Sequence, residues 1–345
     1  MNRSLVAVPV LSLLAFGVLA LAAGCVSSNG ATNPGDNSFG NGPVTLRIGD
    51  QQESLEMPLQ LSGQLANLPY KVQFDQFNSG PLVDQAFSAG AIDAGFMGDT
   101  PAMFAQASGV PVQVITVSRT DGPYDVLIAR AGSGIHSLAD LRGKKIATTK
   151  DTAPHGFLLR ALNKAGLAQN DITLVDIPLL QLGNILQSGT VDAATVSVQQ
   201  AVNYQNLHPD AVRLASAQQL APTYGFELAT RSALTDPAKL SALQDFAQRL
   251  VRSNAWKRAH VDQWINAYYV QYQKQTPANA KIIYAGSGAS TYIPVDATVQ
   301  TNQQHQADLF LKNGLITKPV DFSSQFDQTV IGEFNRAIQA VTGQQ

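Results

Sequence analysis

A glycine followed two residues later by Ile/Val-Asp-Ala occurs twice in this chain. Ser88-Ala89-Gly90-Ala91-Ile92-Asp93-Ala94 is echoed by Gln187-Ser188-Gly189-Thr190-Val191-Asp192-Ala193. Each copy follows a short helical pattern and leads into a short apolar run. This reads as a helix that stops at a left-handed glycine, with a strand starting at once. Two such units imply two similar α/β lobes, and two lobes imply a cleft. Open α/β sheets bind small molecules at their strand ends, so the function is expected to lie in what the cleft holds.

The chain's 345 residues suffice for two full cores. Only 14% of residues are charged, the net charge is −2 and no basic block occurs, which argues against a nucleic-acid partner. The 5 histidines are scattered, with no pair at metal-ligand spacing, so neither a metal nor a cofactor is expected. The single cysteine, Cys25, excludes an internal disulfide. It closes an N-terminal segment in which Arg3 precedes an apolar run and Leu21-Ala22-Ala23-Gly24 supplies small residues. That pattern reads as a secretory signal over 1–24, the alternative being an uncleaved membrane anchor. It resembles the bacterial lipobox, with Ala22 where a leucine is usual, and the resemblance implies that Cys25 becomes a lipid-modified first residue. Residues 25–43, rich in Ser, Asn, Gly and Pro, read as a flexible tether.

Beyond the tether, strand and helix patterns alternate. Strands are expected at 44–48, 71–77, 94–97, 112–117, 125–129, 145–148, 172–177, 193–196 and 227–230. Helices are expected at 55–66, from Pro81 to Gly90, from Pro101 with Thr100 as N-cap, at 156–165 and before Gly189. Ser137-Leu138-Ala139-Asp140 forms a capping box. The last third reads as helical. Its Trp256, Trp264, Tyr268, Tyr269 and Tyr272 read as packing and surface residues, because no basic groove accompanies them.

The order of these motifs resembles the substrate-binding proteins of ABC importers, of the type 2 periplasmic-binding-protein fold, in the aliphatic sulfonate, taurine and nitrate branch. The residues that carry the likeness are Gly90-Ala91-Ile92-Asp93, Gly98-Asp99-Thr100-Pro101, Leu138-Ala139-Asp140-Leu141-Arg142-Gly143, Leu158-Leu159-Arg160-Ala161-Leu162 and Gly189-Thr190-Val191-Asp192-Ala193. The resemblance spans about 44–315. It implies an α/β, two-lobed protein, each lobe a mixed sheet flanked by helices, with the ligand cleft between lobes. Crossings near Tyr124 and near Tyr224 would give lobe one as 44–125 plus 226–345 and lobe two as 126–225. Hinge closure would present the ligand to a permease and its ATPase. The protein would work as a monomer, lipid-anchored on the extracytoplasmic face, in the periplasm or at the cell surface.

Carried onto matching positions, the resemblance implies a ligand site of Gln51, Gln52, Ser79, Gly80, Gly98, Asp99, Thr100, Thr152, His155, Gly156, Ser197 and Gln199, with Tyr224 at the second crossing. Helix N-termini with unpaired N–H groups suit a sulfonate, carboxylate or nitrate. Ser79 and Thr100 are open to a second reading, as N-caps whose oxygens serve their own helices. Arg119 is a candidate counter-ion, the alternative being a surface ion pair with Asp121. Asp99 is a candidate partner for the amino group of a zwitterion. Asp151-Thr152-Ala153-Pro154-His155 departs from the Ser-Ser-Ala-His run usual in sulfonate binders, and Ser197-Val198-Gln199-Gln200 replaces an aromatic stretch. No catalytic residue is assigned. The rival readings are an enzyme on the same fold, such as the thiamine-pyrimidine synthases, and a lipid-anchored sensor.

Overall fold

The computed structural model describes residues 43–343. The signal segment, most of the tether and Cys25 lie outside the described residues. Four strands come first: β1 (Thr45–Gln51), β2 (Lys71–Phe77), β3 (Ala94–Gly98) and β4 (Val112–Thr120). Next come β5 (Asp125–Ala129), β6 (Lys145–Thr148), β7 (Thr173–Asp176), β8 (Ala193–Ser197) and β9 (Val212–Ser216), and then β10 (Thr223–Thr230) and β11 (Ser290–Ile293). They form a 6-stranded sheet in the order β11-β4-β10-β3-β1-β2 and a 5-stranded sheet in the order β7-β6-β8-β5-β9.

The two sheets repeat one plan. β1 lies parallel between β2 and β3, and β10 pairs antiparallel with β3 and with β4. In the second sheet β6 lies parallel between β7 and β8, and β5 pairs antiparallel with β8 and β9. The repeated motif occupies the same place in both. Gly90 and Gly189 adopt φ of 65° and 71°, the left-handed turn that ends the preceding helix. The aspartate that follows clamps the central strand. Asp93 accepts from the Arg47 N–H at 3.0 Å, and Asp192 accepts from the Lys145 N–H at 2.9 Å. Their carbonyls receive the Thr230 and Arg130 N–H groups at 2.9 and 2.8 Å. One aspartate thus ties three strands together, which is the physical content of the Ile/Val-Asp-Ala repeat.

Helices cover both faces of each sheet. One face of the first sheet packs Met97, Val114, Phe226 and Leu228 against Val83, Met103, Phe310 and Ile331 of four helices. Its other face packs Leu46, Ile48 and Ile115 against Leu59, Leu243, Phe246 and Leu250. In the second sheet Leu127 and Ala129 face Phe157, Leu158 and Leu162 of the Ala153–Lys164 helix, whereas Val126 and Ile128 face Leu182, Leu186 and Tyr204. Burying such a Leu, Ile or Phe contributes about 1.5–3 kcal/mol, and cover on both faces leaves β4 buried without alternation from Val112 to Ser118.

Several boundaries differ from the sequence expectations. The Asp99–Ala107 helix takes Gly98 as its N-cap, not Thr100. The expected helix over 55–66 is confined to Glu56–Leu61, and the Ala153–Lys164 helix begins before Gly156. β9 and β11 were not expected; both are edge strands whose apolar residues are too few to stand out. The chain passes between sheets at 121–124 and at 217–222. Because Thr223 already pairs with Thr120, the second crossing comes just before Tyr224. At the first crossing Gly122 rests on Gly288, where a Cβ on Gly122 would lie 2.4 Å from the Gly288 Cα.

Candidate functional site

Between the sheets lies a cleft of about 780 Å³ lined by residues of both. It is bounded by the starts of four helices: Gly80–Ser88, Asp99–Ala107, Ala153–Lys164 and Val198–Leu207. Each helix follows the end of a strand or the turn beyond it, so the α/β alternation of the chain brings the partial positive charge of four helix starts to one space. Such a space suits an anion.

Of the sequence-derived candidates, Gln51, Gln52, Gly80, Gly98, Thr152, Ser197, Gln199 and Tyr224 line this cleft. Gln51 donates to the Phe96 carbonyl at 2.8 Å, and Tyr224 accepts from Asn302 at 3.3 Å. The Ser197 hydroxyl accepts from the Gln200 N–H of its own helix at 3.2 Å, and the Thr152 hydroxyl donates to the Thr149 carbonyl at 2.6 Å. The Thr152 hydroxyl has therefore committed its proton locally and can only accept, whereas the Ser197 hydroxyl still has its own proton to donate. The amides of Gln52 and Gln199 border the cleft and make no hydrogen bond among the described residues.

The other candidates lie elsewhere. Ser79 caps the Gly80–Ser88 helix by position without a side-chain bond and is not part of the cleft wall. Arg119 stands on the surface, where it pairs with Asp121 at 3.2 Å. Asp99, Thr100, His155 and Gly156 sit where the Ala153–Lys164 helix packs on the Asp99–Ala107 and Ala297–Lys312 helices. Asp99 faces Arg160 at 3.4 Å, and Thr100, fully buried, accepts from Gln306 at 2.9 Å. Gly156 lets Thr100 approach, since a Cβ there would meet the Thr100 hydroxyl at 2.4 Å. His155 uses both ring nitrogens: Nδ1 accepts from the Asp151 N–H at 3.2 Å and Nε2 meets Gln169 at 2.7 Å. Burial lowers its pKa despite the Gln169 bond, so the ring is neutral and occupied.

The cleft also holds residues that sequence reasoning did not place there. Trp264, Tyr268, Tyr269 and Tyr272 form part of its wall: Trp264 is packed and Tyr272 exposed, as expected of them, and the surface they contribute to is that of the cleft. Tyr268, Tyr269 and Tyr272 come from a π-helical stretch, Ile265–Tyr272. The spacing of 264, 268 and 272 does put three rings on one helical face, but what that face meets is not a local property. Lys257 borders the cleft with its ammonium 5.3 Å from the Trp264 ring centre. Burial, and then the nearby Arg258, lower its pKa to about 8. Asp125, which opens β5, and Glu227 are buried carboxyls at the cleft. Burial and then Asp99 raise Asp125 to about 7 against the pull of Arg160.

Comparison with known proteins agrees with this architecture. Residues 71–260 match the family described as NMT1/THI5 like. The chain is 31% identical over 290 residues to an Escherichia coli (strain K12) protein named for binding aliphatic sulfonates, covering 83% of this chain and 89% of that one. The solved periplasmic aliphatic sulphonate binding protein SsuA from Escherichia coli superposes with a TM-score of 0.73 at 30% identity, covering 83% of this chain and 92% of that one. The alkanesulfonate-binding protein SsuA from Xanthomonas axonopodis pv. citri, solved bound to MOPS, gives 0.72 at 29%, covering 81% and 96%. A two-sheet α/β body with its cleft between the sheets, a family match over most of that body and relatives alike along nearly their whole length lead to one conclusion: the chain belongs to the NMT1/THI5-like family and is a homologue of the aliphatic sulfonate-binding proteins.

Proposed function

We propose that this protein is the extracytoplasmic solute-binding component of an ABC import system, capturing a small sulfonate or related organic anion or zwitterion. The observation that carries the reading is the convergence of four helix starts from both sheets on one cleft. The relatives named for aliphatic sulfonates and alkanesulfonates support the ligand class. The chain from 44 to the first crossing, with the chain from Thr223 onward, acts as one lobe and residues 125–216 as the other, closing on ligand about the crossings at 121–124 and 217–222. Gln51, Gln52, Gly80, Gly98, Thr152, Ser197, Gln199 and Tyr224 face the ligand, and the closed form docks on a permease served by an ATPase. Cys25 carries the lipid that holds the monomer at the membrane. The protein returns its ligand unchanged: neither nitrogen of His155 is free to act as a base.

Calorimetric titration of the purified protein with alkanesulfonates, followed by mass spectrometry of the recovered ligand, tests this directly. Saturable binding with unaltered ligand is expected. A new compound formed in step with protein concentration would favour an enzyme, and no binding of any sulfonate would remove the ligand class.

A further inference from the structure

Two buried carboxyls border the cleft, and they differ in what holds them. Glu227 has a partner on each oxygen, the Thr116 hydroxyl and Tyr292. Asp125, 5% exposed, has neither: among the described residues no donor reaches its oxygens, and no lysine, arginine or histidine stands within 4.0 Å of them. Its oxygens are not among the polar atoms sealed from solvent, so the little surface the carboxyl keeps opens on the cleft that Asp125 lines. Asp125 opens β5 opposite Ser197, the last residue of β8, which places it at the strand ends where the Val198–Leu207 helix starts.

Its charged neighbours leave it uncompensated. Burial, and then Asp99, act against its ionised form, and Arg160 acts for it. The Arg160 guanidinium is already shared between Asp99 at 3.4 Å and Gln306. Two carboxyls thus draw on one guanidinium, and Asp99, the residue expected from sequence to hold an amine, is the one that has it. A carboxyl buried without donor or counter-ion is costly, and in a cleft the missing partner can come from the ligand. The helix starts around the same cleft favour an acid group, so one molecule that satisfies both carries charge of both signs. Resting on the capture of small organic anions proposed above, we infer that Asp125 selects ligands with a protonated amine beside the acid group, the amine pairing with the Asp125 carboxylate while the helix starts hold the acid.

Taurine and propane-1-sulfonate are the probes, since they share a sulfonate and an ethylene chain and differ in an ammonium against a methyl group. Calorimetric titration of the full-length protein should find taurine bound about tenfold or more tightly than propanesulfonate. Asp125→Asn, which keeps the shape and removes the charge, should abolish that preference by weakening taurine about tenfold or more, with propanesulfonate bound no more weakly than before. In the native protein near pH 6, where Asp125 is mostly neutral, taurine should also release a proton to the buffer as the carboxyl ionises, and propanesulfonate should release none. That release is read as a binding heat that changes with the buffer's ionisation enthalpy, and it decides the matter even if Asp125→Asn fails to fold. Equal or tighter binding of propanesulfonate, a preference that survives Asp125→Asn, or the absence of proton release overturns the inference while sulfonate capture stands. Failure of both compounds to bind removes sulfonate capture and the role of Asp125 with it.

Discussion

Glu227 has both carboxylate oxygens engaged, one by the Thr116 hydroxyl and the other by Tyr292 at 2.8 Å, yet burial outweighs these bonds and raises its pKa to about 7. An unfolded glutamate releases its proton near pH 4.3, so between there and about 7 the folded protein holds a proton that the unfolded chain has lost. Stability should therefore fall across that window, by an amount of up to about 3 kcal/mol, and level off above it. Glu227→Gln should flatten the fall, so its gain over wild type in thermal melting should be larger at pH 8 than at pH 4.5. A second pair of substitutions separates binding from support. Thr100→Ala leaves the Gln306 amide buried without its partner and should cost about 1–3 kcal/mol of stability with little change in ligand affinity. Gln199→Ala removes an amide that no neighbour uses, so it should weaken ligand binding by about tenfold with the melting temperature unchanged. Calorimetry and thermal melting of both variants would expose a reversal of these roles.

At the scale of elements, the two aspartate clamps are equivalent in backbone geometry and unequal in environment. The Asp93 side chain is 2% exposed and meets Arg47 at 2.7 Å and Lys239 at 2.8 Å, whereas Asp192 is 31% exposed with Arg130 at 3.9 Å. Burial acts to raise the Asp93 pKa, but the bonds from Arg47 and Lys239 prevail and hold it below the usual value. Asp93→Ala should cost about 3–5 kcal/mol and Asp192→Ala about 1 kcal/mol in urea unfolding. A larger loss at Asp192 would show that the strand clamp, rather than the ion pairs, dominates. These clamps also mark what could be read from the chain. Local signals sufficed for Gly90 and Gly189, for the strands Lys71–Phe77, Asp125–Ala129 and Lys145–Thr148 and for the Ser137 capping box, because each rests on neighbours in sequence. The helix start after Ser79 was legible for the same reason, whereas the helices that open at Asp99 and Ala153 begin ahead of the expected Pro101 and Gly156. Thr100 and His155 were not legible, since what decides their role is contact with Gln306 and Phe310 of a helix far along the chain. The Trp264–Tyr272 wall escaped notice likewise: its rings are spaced as any packed helix face would be, and only tertiary structure turns that face toward the cleft.

For the whole molecule, the arrangement of strands sets an order of events. The second sheet is built from one continuous stretch, β5 through β9, whereas β10 is the strand that joins β3 to β4 in the first. A chain synthesised from its amino end thus carries β1 to β4 for about a hundred residues before the strand that unites them exists. The second sheet needs no such wait, and its loops to close are shorter. Pulsed hydrogen exchange during refolding should find the amides of Leu127, Ile146 and Val196 protected before those of Val114 and Phe226; simultaneous protection would remove the argument. The sheet completed last would expose its unpaired β3 and β4 edges for longest, so the half of the molecule built on the first sheet is the half that most needs protection from aggregation until Thr230 arrives.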